Sequence, residues 1–436
     1  MSVLSKRLFA VLADKYPECR VPPSAAFWPM ASLDSGDLST TAAIEIAKIT
    51  KHHAEKVAHE LIDSLADGSQ IEWRSDKGYI VCSQLPMPVI ISEVQETVRA
   101  ALDTVRIGTT YAQSPITQYP PKQAPLSIWC LLPDNTEPVY ARLRLLARCS
   151  LQALLAVTYG ERVRLCFNPL TSTDADSPQG VLDCFRKAVE WIINHESEQR
   201  LDVQIPSSDT GHVIWTTHHY HERLSDNVKK SLSQMRRAGL LQVTMPADGW
   251  LLSRDRALSE ILSAKAVRRV IDRIAEMESQ GRDGWRRLLF HLASSTPSGD
   301  FDPAVALFDE CASPLWSMKS LVSRFQRFKG AVPRLISKPE LVQSIWEVEP
   351  YRKLVLSALF LSVYTARAIL HNEIEAWCGA FERLAQEGHR FINTPSTRNY
   401  LEKMGGTDSC MQIAAGLGFG LSCIVALVME ERCADQ

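Results

Sequence analysis

The sequence has no excess of charge of one sign, and it lacks the loop expected of a nucleotide site. Lysine and arginine total 48 against 50 acidic residues, a formal net charge of -2 over 436 residues. This balance excludes a protein that is basic throughout, although local basic faces remain compatible with nucleic-acid binding. Residues 131–169 have the strand–loop–helix–strand order typical of nucleotide sites, yet they contain neither a glycine-rich phosphate loop nor a histidine.

Paired cysteines are also missing. The 11 cysteines are scattered, and no two are spaced as Cys-x-x-Cys. An odd number without that spacing argues against a disulfide framework or a zinc site, so we expect reduced, mostly buried thiols in a cytoplasmic protein. The N-terminal segment carries acidic residues and no cleavage-like site, so we interpret it as a first helix. The most apolar stretch, 411–429, contains three glycines and a glutamine, so we interpret it as a buried helix and expect no membrane span.

Residues 1–110 combine helical and strand patterns. Apolar residues at helical spacing run through 40–66, which predicts one helix capped by Thr40 or Thr41. The segment 70–85 predicts two short strands around an Asp-Lys-Gly turn. The polar, proline-rich stretch Tyr111–Pro125 predicts a linker.

Strand and helix patterns alternate along 126–255, which predicts a parallel α/β layer. Strands are predicted at LSIWCLL, RVRLCF and HVIWTT, and helices at 139–159, 180–195 and 226–241. Ser172–Gly180 is predicted to be a polar loop, and LQVTMPADGWLLS (241–253) a hairpin. Beyond Ala257 the pattern is almost entirely helical, with a break at Ser295–Pro303. With 45% hydrophobic residues, the chain has enough apolar surface for two or three domains.

The order of these segments resembles that of arginyl-tRNA synthetases. GDLSTTAAIEIAK (36–48), followed by GYIVCSQL (78–85), is similar to a helix and strand of the N-terminal domain in that family. HHYHERLSDNVKKSLSQMRRAGLLQ (218–242) resembles a later segment of the catalytic domain. Residues 352–422 resemble the helical anticodon-binding domain. Most of the chain is covered by these similarities.

The resemblance implies an α/β protein with an all-α part. Residues 1–110 correspond to a small α+β N-terminal domain, and 111–300 to a degenerate, truncated Rossmann-like class I synthetase layer. Residues 301–436 correspond to a helical bundle like that which binds the anticodon.

The residues that handle ATP in the family are replaced. Tyr140 and Arg142 stand where the family has two histidines that stabilise the transferring phosphate, and the preceding loop lacks a glycine. Cys130 replaces a carboxylate, and SMKS at Ser317–Ser320 is a poor substitute for a Lys-Met-Ser-Lys loop. Since adenylate formation needs preorganised charge at the α-phosphate, we expect no ATP-dependent activation and neither ATP nor a metal as cofactor.

A synthetase relative without ATP motifs resembles the arginine-containing cyclodipeptide synthases of filamentous fungi. The resemblance implies an aminoacyltransferase that takes arginyl-tRNA and a second aminoacyl-tRNA and releases cyclo-Arg-Xaa. The ester linkage is already activated, so such an enzyme needs no ATP. Two alternatives stay open: a non-catalytic adaptor that binds arginine tRNAs, and a regulatory paralogue that partners a true synthetase. None of the three involves DNA.

Candidate arginine-binding residues follow the first strand of the layer. By position in the resemblance, Asn135 holds the α-amino group of arginine, or else forms a turn. Asp134 binds the guanidinium or caps the next helix. Tyr140 and Arg142 contact the terminal adenosine or the ester oxyanion, or else lie at an exposed helix start.

A second candidate group follows the strand HVIWTT. His218, His221 and Glu222 form a dense titratable cluster, with Tyr220 beside them as a substrate-binding candidate. Histidine suits a general base that deprotonates an α-ammonium near neutral pH. Zinc binding is a weaker alternative because His-His-x-His has no spaced fourth ligand, and a solvated loop is the other.

Basic residues recur on three predicted helical segments, where they would neutralise tRNA phosphates or simply form solvated faces. Phe325, Phe328 and Trp285 would offer stacking planes. The candidate tRNA-binding residues are Lys229, Lys230, Arg236, Arg237, Arg268, Arg269, Arg324, Arg327 and Lys329.

Overall fold

The structure is a computed structural model in which the chain packs into two compact units. Unit one comprises residues 1–108, 321–367 and 383–423, and unit two comprises 109–320, 368–382 and 424–436. The predicted domain boundaries after residues 110 and 300 stay predictions. The structure describes residues 3–19, 25, 27–30, 35–66, 71–85, 126–131, 139–158, 162–168, 173–175, 177–194, 212–215, 226–237, 241–244, 264–279, 284–294, 317–318, 320–321, 353–354, 356–357, 361, 364–365, 368–369 and 372–393.

Unit one contains a four-stranded antiparallel sheet in the order β1-β2-β4-β3. The two strands predicted within 70–85 are confirmed as β3 and β4. Lys77 and Gly78 join them with φ angles of 53° and 85°, and a two-residue hairpin turn of this kind matches strand twist. The elements are α1 (Val3–Lys15), β1 (Trp28–Pro29), β2 (Leu38–Thr40), α2 (Ala42–Thr50), α3 (Ala54–Ala66), β3 (Trp73–Asp76) and β4 (Tyr79–Cys82).

The single helix predicted over 40–66 is wrong, because the chain forms two helices there. Helix α2 ends at Thr50, and its C-cap residue, Lys51, adopts a left-handed φ of 60°. The hydroxyl of Thr50 donates to the Ile46 carbonyl at 3.0 Å, a side-chain bond that competes with helical continuation. Thr41 is the N-cap without a side-chain bond, whereas the hydroxyl of Thr40 accepts from the Ala42 amide at 3.0 Å.

Unit two contains a five-stranded sheet in the order β7-β6-β5-β8-β9. Strands β6, β5, β8 and β9 are parallel, which confirms the predicted parallel α/β layer, and β7 is antiparallel to β6. The elements are β5 (Leu126–Leu131), α4 (Val139–Thr158), β6 (Val163–Asn168), β7 (Thr173–Ala175), α5 (Pro178–Asn194), β8 (His212–Trp215), α6 (Asp226–Arg237), β9 (Leu241–Thr244), α7 (Ala264–Ser279), α8 (Gly284–Ser294) and, as far as Glu382, α9 (Ile374–Asn393).

One local prediction in this unit is corrected. Ser172–Gly180 is not a loop throughout, because Thr173–Ala175 forms the edge strand β7 and α5 begins at Pro178. Strand β9 pairs in parallel with β8, and the second arm of the hairpin predicted over 241–253 stays a prediction. Residues 245–263 lie outside the described residues.

Helix α4 forms the centre of the helical packing in unit two. It packs against β5, β6, α5 and α8, and every side chain described from Arg142 to Val157 is buried. A helix buried on all sides is normally apolar. Helix α4 nevertheless carries three arginines and a glutamine inside the protein.

The cysteine prediction is confirmed for the thiols that the structure describes, since all are free and all but the half-buried Cys19 are buried. In the described ranges no helix has both the length and the apolar character that crossing a membrane requires. The apolar stretch 411–429 lies outside them.

Candidate functional site

The carboxyl ends of β5 and β8 form the topological switch point of the sheet. Strand β6 lies on one side of β5 and β8 on the other, and both pair with β5 in parallel. Ligands of open α/β sheets bind outside the carboxyl ends of the strands at such a point. Cys130 pairs with Trp215 in the register, so β5 and β8 reach this edge together.

Both predicted groups of site residues follow these two strands in the chain. Asp134 and Asn135 come shortly after Leu131, and His218, Tyr220, His221 and Glu222 come shortly after Trp215. All six lie outside the described residues, so their roles stay predictions.

Helix α4 begins at the same edge, and Arg142 in its first turns is turned into the protein. Tyr140 is the second residue of the helix, and its side chain lies outside the description. Arg142 is 2% exposed, and its Nη2 donates to the Ile192 carbonyl at 3.2 Å. That carbonyl belongs to the last turn of α5, where carbonyls lack helical donors. The alternative of an exposed helix start is therefore wrong for Arg142, while its contact with substrate stays a prediction.

Two further arginines on α4 share one carboxylate. The Nη2 of Arg144 lies 3.5 Å from Oε1 of Glu375, and Arg148 forms an ion pair with the same oxygen. Both arginine side chains are almost completely buried, whereas that of Glu375 is 55% exposed. Glu375 lies in the first turn of α9, where a negative charge also stabilises the helix.

One turn further along α4, Gln152 joins three elements of unit two. Its Oε1 accepts from the indole N–H of Trp215, the last residue of β8, at 2.7 Å. Its Nε2 donates to the Ile369 carbonyl at 3.2 Å and to the Asn372 side-chain oxygen. Arg144, Arg148 and Gln152 are four residues apart, so they form one stripe along α4.

Sequence reasoning missed the importance of this stripe. Polar residues at four-residue spacing in an apolar helix were a visible signal. Three of their partners, Ile369, Asn372 and Glu375, lie more than 200 residues away in the chain, and no local pattern marks Glu375 or Asn372.

Burial raises the pKa values of two thiols near α4. The pKa of Cys378 is raised to about 12, although the nearby Arg148 and Arg144 lower it. Burial also raises the pKa of Cys149, with a smaller contribution from its hydrogen bond with Cys130. Cys130 is itself buried at the end of β5. No group of three or more potential ligands within the described part of the chain is arranged to hold a metal ion.

The predicted tRNA-binding residues differ in exposure. Lys230 on α6 and Arg268 on α7 are exposed, and Lys229 is half-buried. Arg236, Arg237 and Arg269 lie on these two helices, but their side chains are outside the description, as are Arg324, Arg327 and Lys329 altogether.

The predicted stacking role of Trp285 is wrong. Its side chain is buried, and its ring packs edge-on against Phe185 at 6.2 Å between ring centroids. A base would have no access to its face.

None of the known protein-family models matches this chain, and no curated protein does. Among solved structures, the arginyl-tRNA synthetase of Thermus thermophilus aligns with 98% of this chain and 98% of its own. The two share 11% sequence identity with a TM-score of 0.47, a similarity too low to assign a family.

Proposed function

We propose that this chain is a degenerate relative of arginyl-tRNA synthetases that works on charged tRNA without ATP, as an arginine-containing cyclodipeptide synthase. The observation that carries the proposal is the parallel pairing of β5 with β8. Because neighbouring parallel strands end at the same sheet edge, the segments that follow them belong to one site. One segment supplies groups for the arginyl substrate, and the other supplies titratable groups.

The proposed reaction consists of two aminolysis steps. The neutral α-amine of arginyl-tRNA attacks the ester carbonyl of the second aminoacyl-tRNA, and a peptide bond replaces that ester. The released tRNA takes up the proton at its terminal ribose oxygen. The free amine of the dipeptide then attacks the arginyl ester and closes the six-membered ring. This step releases the tRNA that carried arginine, whose terminal ribose oxygen takes up the amine proton. Each ester supplies its own driving force, so neither a nucleotide nor a redox partner is needed.

Each proposed role matches the chemistry of its residue. Asp134 pairs with the guanidinium of arginine and Asn135 with its α-amino group. His218 or His221 takes the proton from the attacking amine, assisted by Glu222. Tyr140 donates to the tetrahedral oxyanion, and Tyr220 contacts the bound aminoacyl group.

The deciding experiment supplies purified protein with arginyl-tRNA and a mixture of other aminoacyl-tRNAs, without ATP. Mass spectrometry should detect cyclic dipeptides that contain arginine. His218→Ala and His221→Ala should lower the yield at least about 100-fold if one of them is the base. His59→Ala is the matched control, because His59 is an exposed histidine on α3. Arginine-dependent exchange of pyrophosphate into ATP would contradict the absence of activation chemistry.

The burial of Arg142 and Cys130 favours a second candidate, a non-catalytic tRNA-binding adaptor. Both groups lie inside the protein, at the start of α4 and the end of β5, as expected if the space there is filled by side chains. An adaptor forms no product but binds tRNA with an affinity that falls steeply with salt. Lys230→Gln should reduce that salt slope by about one unit in either case. Product formation therefore separates the two candidates.

A further inference from the structure

The amide side chain of Gln152 is the point at which α4 holds the carboxyl end of β8. Its Oε1 accepts from the indole N–H of Trp215, the last residue of β8, at 2.7 Å. Its Nε2 donates to the Ile369 carbonyl at 3.2 Å and to the side-chain oxygen of Asn372. Both Gln152 and Trp215 are buried. This contact therefore lies at the sheet edge where open α/β sheets bind their ligands.

The partners of Gln152 fix the orientation of its amide. An indole N–H can only donate and a main-chain carbonyl can only accept, so the amide oxygen must face Trp215 and the amide nitrogen must face Ile369. Turning the amide by 180° would set donor against donor and acceptor against acceptor. A leucine at this position would supply neither group, and a glutamate would lack the N–H donors. The side chain thus holds the indole in one place.

A second contact from α4 reaches the neighbouring strand at the same height. Cys149 lies three residues before Gln152 on α4, and its thiol is hydrogen-bonded to that of Cys130 near the end of β5. Cys130 is the register partner of Trp215, and such partners on parallel strands point to the same face of the sheet. One turn of α4 therefore contacts the ends of both strands that form the switch point.

The position of Trp215 matters for the proposed reaction because the candidate bases follow it closely in the chain. His218 comes three residues after Trp215, and His221 comes six residues after it. Three residues span at most about 11 Å, so a displacement of Trp215 is passed on to His218. A general base must lie about 3 Å from the group that it deprotonates, and a misplacement of about 1 Å can cost about 100-fold in rate.

We infer that Gln152 is a positioning residue of the proposed site, which holds the carboxyl end of β8 through the indole of Trp215 and thereby places the general base that follows. The inference rests on the proposed function for the reaction that it serves. Because Gln152 acts through Trp215 and the base, losing the bond should slow the chemical step and leave the binding of arginyl-tRNA nearly unchanged.

The test compares the wild-type chain with Gln152→Met, Trp215→Phe and the double variant in the cyclodipeptide assay. Each single substitution removes one side of the same hydrogen bond. Each should lower kcat at least about tenfold and change KM for arginyl-tRNA less than about twofold. The double variant should lose no more than the worse single variant, because both substitutions remove one contact. Additive losses in kcat, or a raised KM with an unchanged kcat, would overturn the inference.

Trp285→Phe is the matched control. It makes the same change at another buried tryptophan of unit two, whose ring packs against Phe185. Its kcat should stay within about twofold of the wild type. An equal fall in kcat for Trp285→Phe would mean that the losses reflect general destabilisation, which would overturn the inference. If Trp215→Phe does not fold, the comparison of Gln152→Met with Trp285→Phe decides.

Hydrogen exchange separates this inference from the proposed function. In Gln152→Met, the amides of β8 should exchange at least about tenfold faster than in the wild type, and those of β6 should change less than about twofold. If the wild type forms no cyclic dipeptide, the proposed function fails, and the exchange pattern alone decides whether Gln152 holds the end of β8. Equal acceleration in β6 and β8 would show that it does not.

Discussion

Buried polar side chains bond to different kinds of partner in the two units: mainly to the backbone in unit one and mainly to other side chains in unit two. In unit one, the Asp37 carboxylate accepts from the Leu85 amide at 2.7 Å, and the Thr40 hydroxyl bonds to the backbone at Ala42 and Ala25. These bonds satisfy main-chain groups where a strand or helix begins or ends. In unit two, the stripe on α4 bonds mainly to other side chains and includes charges.

The difference shows which buried polar groups the fold itself demands. Backbone groups that end a strand or a helix need partners, so Asp37 and Thr40 follow from the architecture of unit one. Nothing in a parallel α/β layer demands arginines inside its central helix, and burying them is costly unless they are paired. The buried charges of unit two are therefore a feature that the layer architecture does not require.

Replacing Gln152, which bonds to three partners, should have the largest effect on stability. Gln152→Leu takes the acceptor from the buried indole N–H of Trp215 and removes the bonds to Ile369 and Asn372. Because each buried group deprived of its partner costs about 1–3 kcal/mol, we expect a loss of about 3 kcal/mol in unfolding free energy. Urea denaturation measures the loss, and hydrogen exchange should locate it in β8 and α4.

The matched control for that substitution is Gln179→Leu on α5. Gln179 is exposed and, within the part of the chain that the structure describes, its side chain bonds to Asp183 on its own helix, so the change should be within about 0.5 kcal/mol. Equal effects of the two substitutions would mean that the stripe does not organise unit two.

In unit one, the turn between β3 and β4 requires a glycine. Gly78→Ala places a Cβ 2.7 Å from that of Ala54 at a φ of 85°, so we expect a loss of about 2 kcal/mol from clash and strain together. Gly379→Ala lies on an exposed face of α9, where the added Cβ would have no described neighbour within 4 Å, so it should instead stabilise by about 0.5–1 kcal/mol. Thermal melts of Gly78→Ala and Gly379→Ala measure the change in melting temperature that each causes. Changes of the same sign would refute the argument.

The same contrast explains what the sequence predicted. The hairpin β3–β4 was predictable because its turn residues are adjacent in the chain, and α4 and α5 because their apolar periodicity is long. The break after Thr50 was missed because neither glycine nor proline marks it. Strand β7 was missed because three polar-flanked residues become a strand only through pairing with β6.

The candidate site was predictable only where it follows the order of the strands. If two neighbouring strands are predicted to be parallel, their carboxyl ends lie at the same edge of the sheet, so the segments after β5 and β8 are expected to start close together. The pairing of Arg148 with Glu375 does not follow in this way, because it depends on how residues far apart in the chain pack together. Trp285 was misjudged for a similar reason: its environment is set by Phe185, which sequence spacing does not reveal.

A smaller effect should appear in unit one at high pH. Burial, followed by the hydrogen bond to Glu60, raises the pKa of Tyr16 from 10.0 to about 12. Because the folded-state pKa is the higher one, folding favours the protonated phenol, and this stabilisation is complete below pH 10 and lost as the pH rises towards 12. Tyr16→Phe should cost about 1 kcal/mol at pH 8 and progressively less above pH 10. Urea midpoints of the wild type and Tyr16→Phe at pH 8 and pH 11 measure the difference in stability between them. A difference that does not change with pH would contradict the raised pKa of Tyr16.

The smallest effect should come from an arginine that pairs at the surface. Arg273 on α7 pairs with Glu276 one turn away, and both side chains are about half exposed. Because water screens such a pair, Arg273→Gln should change the unfolding free energy by less than about 0.5 kcal/mol. Arg148→Gln, which leaves Glu375 with one partner fewer and removes a buried charge, should cost several times more. Urea denaturation of the two variants in parallel tests this ratio. If both cost the same, burial does not distinguish the arginines of α4 from those of an ordinary solvated helix.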